Sequence, residues 1–311
     1  MNNEHVNYKI DGYMTNALLA SFVSTTAVLT VPLSATKAAG HDGWMAPIIA
    51  TLSAACLIFV IYRLGKLYPG KTIIEYLPLL LGNVAGKIAG LVYILLLTWL
   101  AATALREFIA LIFGTGVFTI TPEIVIGLVL IITTTYATSS GLEVIGRTVS
   151  IFWLLALIIY LIFNLELIPL MKVSALLPVG EAGAPAILKS SLVPHGFLAE
   201  VLILAMLFPY IRSPREALIS AHLANLITGF FVTLTIIAAV TIMGADMTAR
   251  SFFAQFSIAD LMPTFGVKSF LVFIWIIGYW GKVALAQYMI TDGLAKLFGL
   301  RERRPIILPV A

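Results

Sequence analysis

The sequence predicts an all-α membrane protein, a helical bundle of about eight transmembrane helices. Composition sets the class: 60% of the 311 residues are hydrophobic and 11% are charged. A soluble domain carries roughly 45–50% apolar and about 25% charged residues. Apolar runs recur along almost the whole chain, so the length reads as one bundle rather than two soluble domains. The formal charge of +4 is small and scattered, which argues against a nucleic-acid partner.

Each span is placed by length, since crossing about 30 Å of hydrocarbon takes roughly 20 helical residues. The runs fall at 15–37, 44–64, 84–113, 122–139, 145–169, 191–212, 217–243 and 265–297. The polar first 14 residues contain no cleavable signal, and the first run reads as an uncleaved anchor. Between the second and third runs, Thr72 to Leu81 is amphipathic and is expected at the membrane surface. Between the fifth and sixth, residues 170–190 contain Pro178, Gly180, Gly183 and Pro185 and read as an ordered loop outside the bilayer. The chain reads as one transmembrane domain over 1–311.

Basic residues set the expected orientation. With the N-terminus cytoplasmic, the inner set is Lys9, Arg63, Lys66, Lys71, Lys87, Arg147, Arg212, Arg215, Lys296 and the Arg301–Arg304 cluster. The outer set is smaller: Lys37, Lys172, Lys189, Arg250 and Lys268.

Gly65 to Thr72 fits the phosphate-loop pattern GxxxxGK[ST] literally. That loop needs a strand before it and a helix N-terminus to receive the phosphates. Here it follows a membrane helix, so it reads as a turn with Lys66 and Lys71 facing lipid headgroups. The four histidines show no zinc spacing, and no nucleophile–base set is visible. The sequence therefore implies no enzyme, no cofactor and no metal. Cys56 lies inside an apolar run and reads as a packing residue.

The informative residues are the charges inside spans, which cost about 2.5–3.5 kcal/mol at a helix centre and usually face a bundle interior or a water path. Arg106 and Glu107 lie toward one end of the third span and point about 100° apart. For them, snorkelling to the interface competes with a role inside the bundle. Glu200 in the sixth span and Lys282 in the eighth are deeper. Gly82, Gly86 and Gly90 form a small-xxx-small face. Pro32 and Pro209 mark the first and sixth spans as places where a helix opens.

Several segments in order resemble one family. They are Val31-Pro32 with Ala39 to Trp44, Leu67 to Thr72 with Glu75-Tyr76, Leu105-Arg106, Thr121-Pro122, Gly141 to Arg147, Leu176 to Val179, and Glu200 with Phe208-Pro209-Tyr210. Together they resemble the spore germination permeases, the B subunits of germinant receptors, within the amino acid/polyamine/organocation transporter superfamily. The resemblance implies a leucine-transporter-like inverted-repeat fold of ten helices, with helices one and six broken at mid-membrane. This chain would lack the last two, its tail from Arg304 reading as the start of a ninth. It also lacks the usual glycines at both breaks, carrying Thr25, Thr26 and Ala27 before Pro32, and Phe197-Leu198-Ala199 before Glu200.

The resemblance also implies a role. The chain would be a multi-pass subunit in the spore inner membrane, sensing a small nutrient such as an amino acid. Its partners would be receptor subunits of the A and C type and membrane lipid. An amino-acid transporter, proton-coupled or uncoupled, and an assembly subunit without a small ligand are the alternatives. Thr25, Thr26, Val28, Thr98, Phe197, Glu200, Tyr279 and Lys282 are expected to line one midplane cavity. The Lys282 ammonium would reach carbonyls freed around Ala27 and Val28, replacing a coupling sodium ion or carrying a coupling proton. A partner subunit or lipid would cover the face left open by the two absent helices.

Overall fold

The computed structural model describes residues 9–114, 116, 120–262, 267–300 and 302–311. Residues 265 and 266 of the eighth expected span, and Arg301 of the basic cluster, lie outside them. The described chain is almost wholly helical. Seven stretches are long and apolar enough to cross a membrane. One of them, Gly12–Leu67, holds two helices, so the chain is a multi-pass all-α membrane protein of about eight spans.

Helix α1 (Gly12–Ala39) begins where the Asp11 carboxylate accepts the Met14 amide at 2.8 Å. Every residue from Thr15 to Leu29 is buried, so this helix is packed all round. A short 3₁₀ turn (Gly40–Trp44) leads to α2 (Met45–Leu67). The connection from α2 to α3 (Ile73–Leu81) is the stretch that mimics a phosphate loop, and packing explains it. A Cβ on Gly65 would fall 2.5 Å from the Phe208 ring, so only glycine lets that ring seat against α2. Glu75 Oε2 accepts from the Thr72 amide at 2.9 Å and the Thr72 hydroxyl at 2.8 Å, starting α3.

Helix α4 (Asn83–Gly114) follows at once. Of the expected glycine face, two positions demand their residue: Gly82 by its φ of 83°, and Gly86 because a Cβ there would lie 2.3 Å from the Pro78 backbone of α3. Helices α5 (Glu123–Ser140) and α6 (Leu142–Leu167) pack on α13 (Val267–Leu297), which also lies against α1 and α4. Large side chains such as Trp99, Ile132 and Ile151 point outward, as lipid-facing residues do.

One expectation changes ahead of the sixth span, and the break expected within that span is present. The region 170–190 is not all loop: α7 (Gly183–Ser190) occupies its end. Its lack of long periodicity hid an eight-residue helix. The span at 191–212 is a relay rather than one helix. Helix α8 (Leu192–Leu198) passes into a 3₁₀ segment (Ala199–Ile203), then α9 (Leu204–Leu207), then a second 3₁₀ turn (Phe208–Tyr210). By contrast, α1 runs unbroken through Pro32, so the expected break in the first span is absent.

The remaining elements are α10 (Pro214–Met243), the short α11 (Ala245–Thr248) and α12 (Ala254–Ala259), and α14 (Arg304–Val310) after α13. Contacts tie both ends of the bundle. At the end where α1 starts, Ile10 forms a parallel bridge with Ile211, and Lys296 pairs with Asp292 at 2.9 Å and Glu75 at 3.4 Å. At the other end, buried Asp42 accepts the Gly180 and Ala182 amides at 2.9 and 3.0 Å, holding the 170–190 segment over the bundle. His41 Nε2 bonds the Pro178 carbonyl at 2.8 Å beside it.

Candidate functional site

The deepest charges in the bundle meet. Lys282 is 1% exposed and Glu200 6%. The Lys282 ammonium donates to Glu200 Oε2 at 2.5 Å and to Thr26 Oγ1 at 2.6 Å, and it lies 4.9 Å from the centre of the Phe22 ring. Three elements are thereby joined: α13, the 3₁₀ segment of the sixth span, and α1. A charge in such surroundings survives only with a partner, because desolvation of each ion costs several kcal/mol. The ring face below the ammonium adds a cation–π attraction.

Local geometry explains the meeting. Glu200 stands on the tightened 3₁₀ segment, where the i→i+4 ladder gives way to i→i+3. A carbonyl in that segment, Leu202 O, accepts the Tyr93 hydroxyl of α4 at 2.8 Å. The relay is thus held by a side chain rather than opened by glycine.

One turn before Lys282, fully buried Tyr279 donates its hydroxyl to Glu107 Oε2 at 3.2 Å and packs against Phe108, with ring centres 5.9 Å apart. Positions three apart on a helix share a face, so α13 presents a phenol and an ammonium together. Each addresses one carboxylate from another span.

The eight residues expected to line one cavity divide. Thr26, Glu200 and Lys282 make direct contact, and Tyr279 stands beside them. Thr25 is buried but turned away: its hydroxyl donates to Ser21 O at 2.6 Å, and it walls a different chamber. Adjacent helical residues point about 100° apart, so Thr25 and Thr26 do not share a target. Val28 lies in the apolar core, and half-buried Phe197 packs against that core. Thr98 is exposed and lines an outer cleft with Val283 and Gln287. The buried stripe of α4 runs through Ile94, Leu97, Ala104 and Phe108, one step round from Thr98. The Lys282 ammonium bonds the Thr26 hydroxyl rather than the carbonyls of Ala27 and Val28.

Glu107 is the member that sequence reasoning left undecided. Its neighbour Arg106 is exposed beside Glu123, while Glu107 turns toward Tyr279. The signal was its place four residues before buried Leu111, on the flank of the inward stripe.

Residues 9–311 match the family described as Spore germination protein, and the chain belongs to that family. It is 29% identical to spore germination protein KB of Bacillus subtilis (strain 168) over 285 residues, covering 86% of this chain and 73% of that protein. It is 24% identical over 318 residues to spore germination protein A2 of the same organism, covering 99% and 86%. Spore germination protein YndE, also of that organism, is 22% identical over 319 residues, covering 97% and 85%.

Proposed function

We propose that this chain, as a member of that family, is the membrane subunit of a spore germinant receptor, and that it senses a small zwitterionic nutrient, an amino acid, at the Lys282–Glu200 pair. The single observation that carries the reading is the buried contact among Lys282, Glu200 and Thr26. An ion pair sealed between a central helix and a broken span is already the shape of the ligand's own charges. A nutrient ammonium replaces Lys282 at the Glu200 carboxylate, and its carboxylate takes the Lys282 ammonium. Both buried charges stay compensated through the exchange, so the site gives up its internal pair without stranding an ion.

The consequence is mechanical. The pair ties the sixth-span relay to α13, and a ligand that divides it loosens that tie. A ligand shifts a two-state element only by its differential affinity for the two states. Here that difference lies in the exchange of one internal pair for two ligand pairs. In this reading the N-terminus is cytoplasmic, the membrane is the spore inner membrane, and receptor subunits of the A and C type receive the movement.

The test is a germinant dose–response in spores carrying Glu200→Gln, with protein abundance matched by immunoblot. The variant keeps the side-chain shape and removes the charge. The half-maximal nutrient concentration is expected to rise tenfold or more (about 1.4 kcal/mol or more). An unchanged half-maximal concentration at equal abundance overturns the site. Uptake of the labelled nutrient into proteoliposomes separates a sensor from a transporter of the same fold.

A further inference from the structure

Helices α5 and α14 meet near the end of the bundle where α1 starts. There α6 follows α5 through the Gly141 turn, and Gly146 of α6 lies against Met14 and Leu18 of α1. Between α5 and α14 lies an open cleft of about 620 Å3. Its two walls are graded in the same sense. On α5 the cleft runs from Ser139 and Tyr136, near the helix end, to Ile132, about 10 Å deeper at 1.5 Å per residue. On α14 it runs from Arg304, at the helix start, to Ile307 and Leu308. Farther along α14, Val310 lines a second cleft with Ile131 and Thr134 of α5, so α14 climbs beside α5 toward the middle of the bundle. Arg304 is exposed, and among the described residues no ion pair or hydrogen bond engages its guanidinium. Among those residues, none that lines the cleft is acidic; Glu302 stands outside it. Arg303 is spent elsewhere, its guanidinium 3.9 Å from the centre of the Tyr288 ring.

We propose that this cleft binds one anionic phospholipid, its phosphate on the Arg304 guanidinium and an acyl chain along Ile132, Ile307 and Leu308. Three features select that occupant. A guanidinium presents a rigid fork that matches two phosphate oxygens, and basic pockets between membrane helices are a recurring setting for lipid head groups. The charge is uncompensated, so a net anionic lipid completes it, whereas the ammonium of a zwitterionic lipid meets no carboxylate in the cleft. The walls pass from polar to apolar along both helices, as a lipid does on entering the bilayer; a free anion has no use for the apolar floor. Size agrees. At roughly 30 Å3 for a water-sized group, about 620 Å3 has room for some twenty of them, enough for a head group and the first methylenes of its chains. The Ser139 hydroxyl donates to the Tyr136 carbonyl at 2.7 Å and can still accept from a hydroxyl of the head group. The assignment does not depend on the reading of the Lys282–Glu200 pair, since no residue of the cleft touches that pair.

Native mass spectrometry of the full chain in mild detergent counts the lipid directly. The protein is stripped of copurifying lipid and titrated with dioleoyl phosphatidylglycerol or with dioleoyl phosphatidylcholine. A first phosphatidylglycerol adduct is expected to saturate well before any phosphatidylcholine adduct. Arg304→Ala is expected to raise its half-saturating concentration about tenfold or more, the range of a hydrogen bond to a charged group. Lys71→Ala removes the same charge between α2 and α3, outside the cleft, and is expected to leave that concentration unchanged. An excess of soluble sn-glycerol 3-phosphate, a head group without chains, is expected not to displace the lipid. Equal saturation by the two lipids overturns the proposal. So does an equal loss in Arg304→Ala and Lys71→Ala, which would mean a general attraction of anionic lipid to basic residues. Displacement by sn-glycerol 3-phosphate overturns the lipid assignment and makes the cleft a site for a free anion.

Discussion

The first and sixth spans each carry an interior proline, and they fold differently. In the first it is Pro32; in the sixth it is Pro209, with Pro194 and Gly196 ahead of Glu200. Yet α1 stays one helix over Gly12–Ala39, while the sixth span becomes α8, a 3₁₀ segment, α9 and a 3₁₀ turn. The surroundings account for the difference. Along α1, hydroxyls bond carbonyls of the same helix: Thr25 to Ser21 O, Thr30 to Thr26 O, Ser34 to Val31 O. None of these bonds reaches Val28 O, the carbonyl that Pro32 leaves without an amide partner; what holds α1 is packing, with neighbours on every side from Thr15 to Leu29. In the sixth span the help comes from elsewhere, from the Tyr93 hydroxyl on Leu202 O and Lys282 on Glu200. An interior proline therefore does not by itself decide whether a membrane helix breaks. Close packing on α1 and cross-span polar partners in the sixth span contribute to the difference.

The largest effect should come from dividing the pair that anchors the broken span. Lys282→Met leaves the Glu200 carboxylate buried without its cation, a loss of about 3–5 kcal/mol. Thermal unfolding of the purified protein in mild detergent is expected to show a large fall for this variant. Pairing it with Glu200→Leu removes both charges and should recover much of the loss, because well-packed apolar residues often replace a buried pair without net cost. If the single variant unfolds like the wild type, the pair does not anchor the relay, and the contrast with α1 loses its cause.

A smaller effect sharpens the same comparison. Tyr93→Phe keeps the ring and removes the bond to Leu202 O, stranding a carbonyl in the relay at about 1–3 kcal/mol. Thr30→Val removes one self-bond from α1, whose ladder continues without it. Hydrogen exchange of the 199–203 amides should accelerate in Tyr93→Phe, and the amides of α1 should barely respond to Thr30→Val. Equal responses in the two helices would show that cross-span support does not distinguish them.

How far the sequence revealed these features depends on the range of the interaction. The spans follow from runs of apolar residues, which are local, and α3 falls within the amphipathic stretch Thr72 to Leu81 for the same reason. Glu200 and Lys282 stand out because a charge in a long apolar run is costly wherever the helix packs. Which partner each finds is not local. Thr26 and Thr25 differ only by a 100° rotation about α1, and Thr98 differs from buried Leu97 in the same way. Without the packing of α4 and α13, nothing in the chain chooses between them. The cleft beside Arg304 was invisible for the same reason, since α5 and α14 each supply one wall of it.

The smallest expected effect lies at the end of the bundle where α1 begins, in a half-buried group outside the spans. Burial pushes the Glu75 carboxyl up, but the Thr72 amide, the Lys296 ammonium and the Thr72 hydroxyl together hold it below its ordinary value of 4.5. The folded state thus releases this proton more readily than the unfolded chain. Its contribution to stability is complete above the ordinary value and is lost as pH falls through the lowered one. Lys296 also pairs with Asp292 and lies over the Tyr210 ring, so the loss of Glu75 removes only one strand of that network. The side chain remains partly exposed, where solvent screens the pair and exposed ion pairs contribute little. Melting temperatures of the wild type and Glu75→Gln should therefore differ modestly at pH 7 and converge as the pH drops below the ordinary carboxylate value. A gap that persists unchanged at acid pH would assign the difference to the hydrogen bonds at Thr72, which glutamine can keep only in part, rather than to the charge.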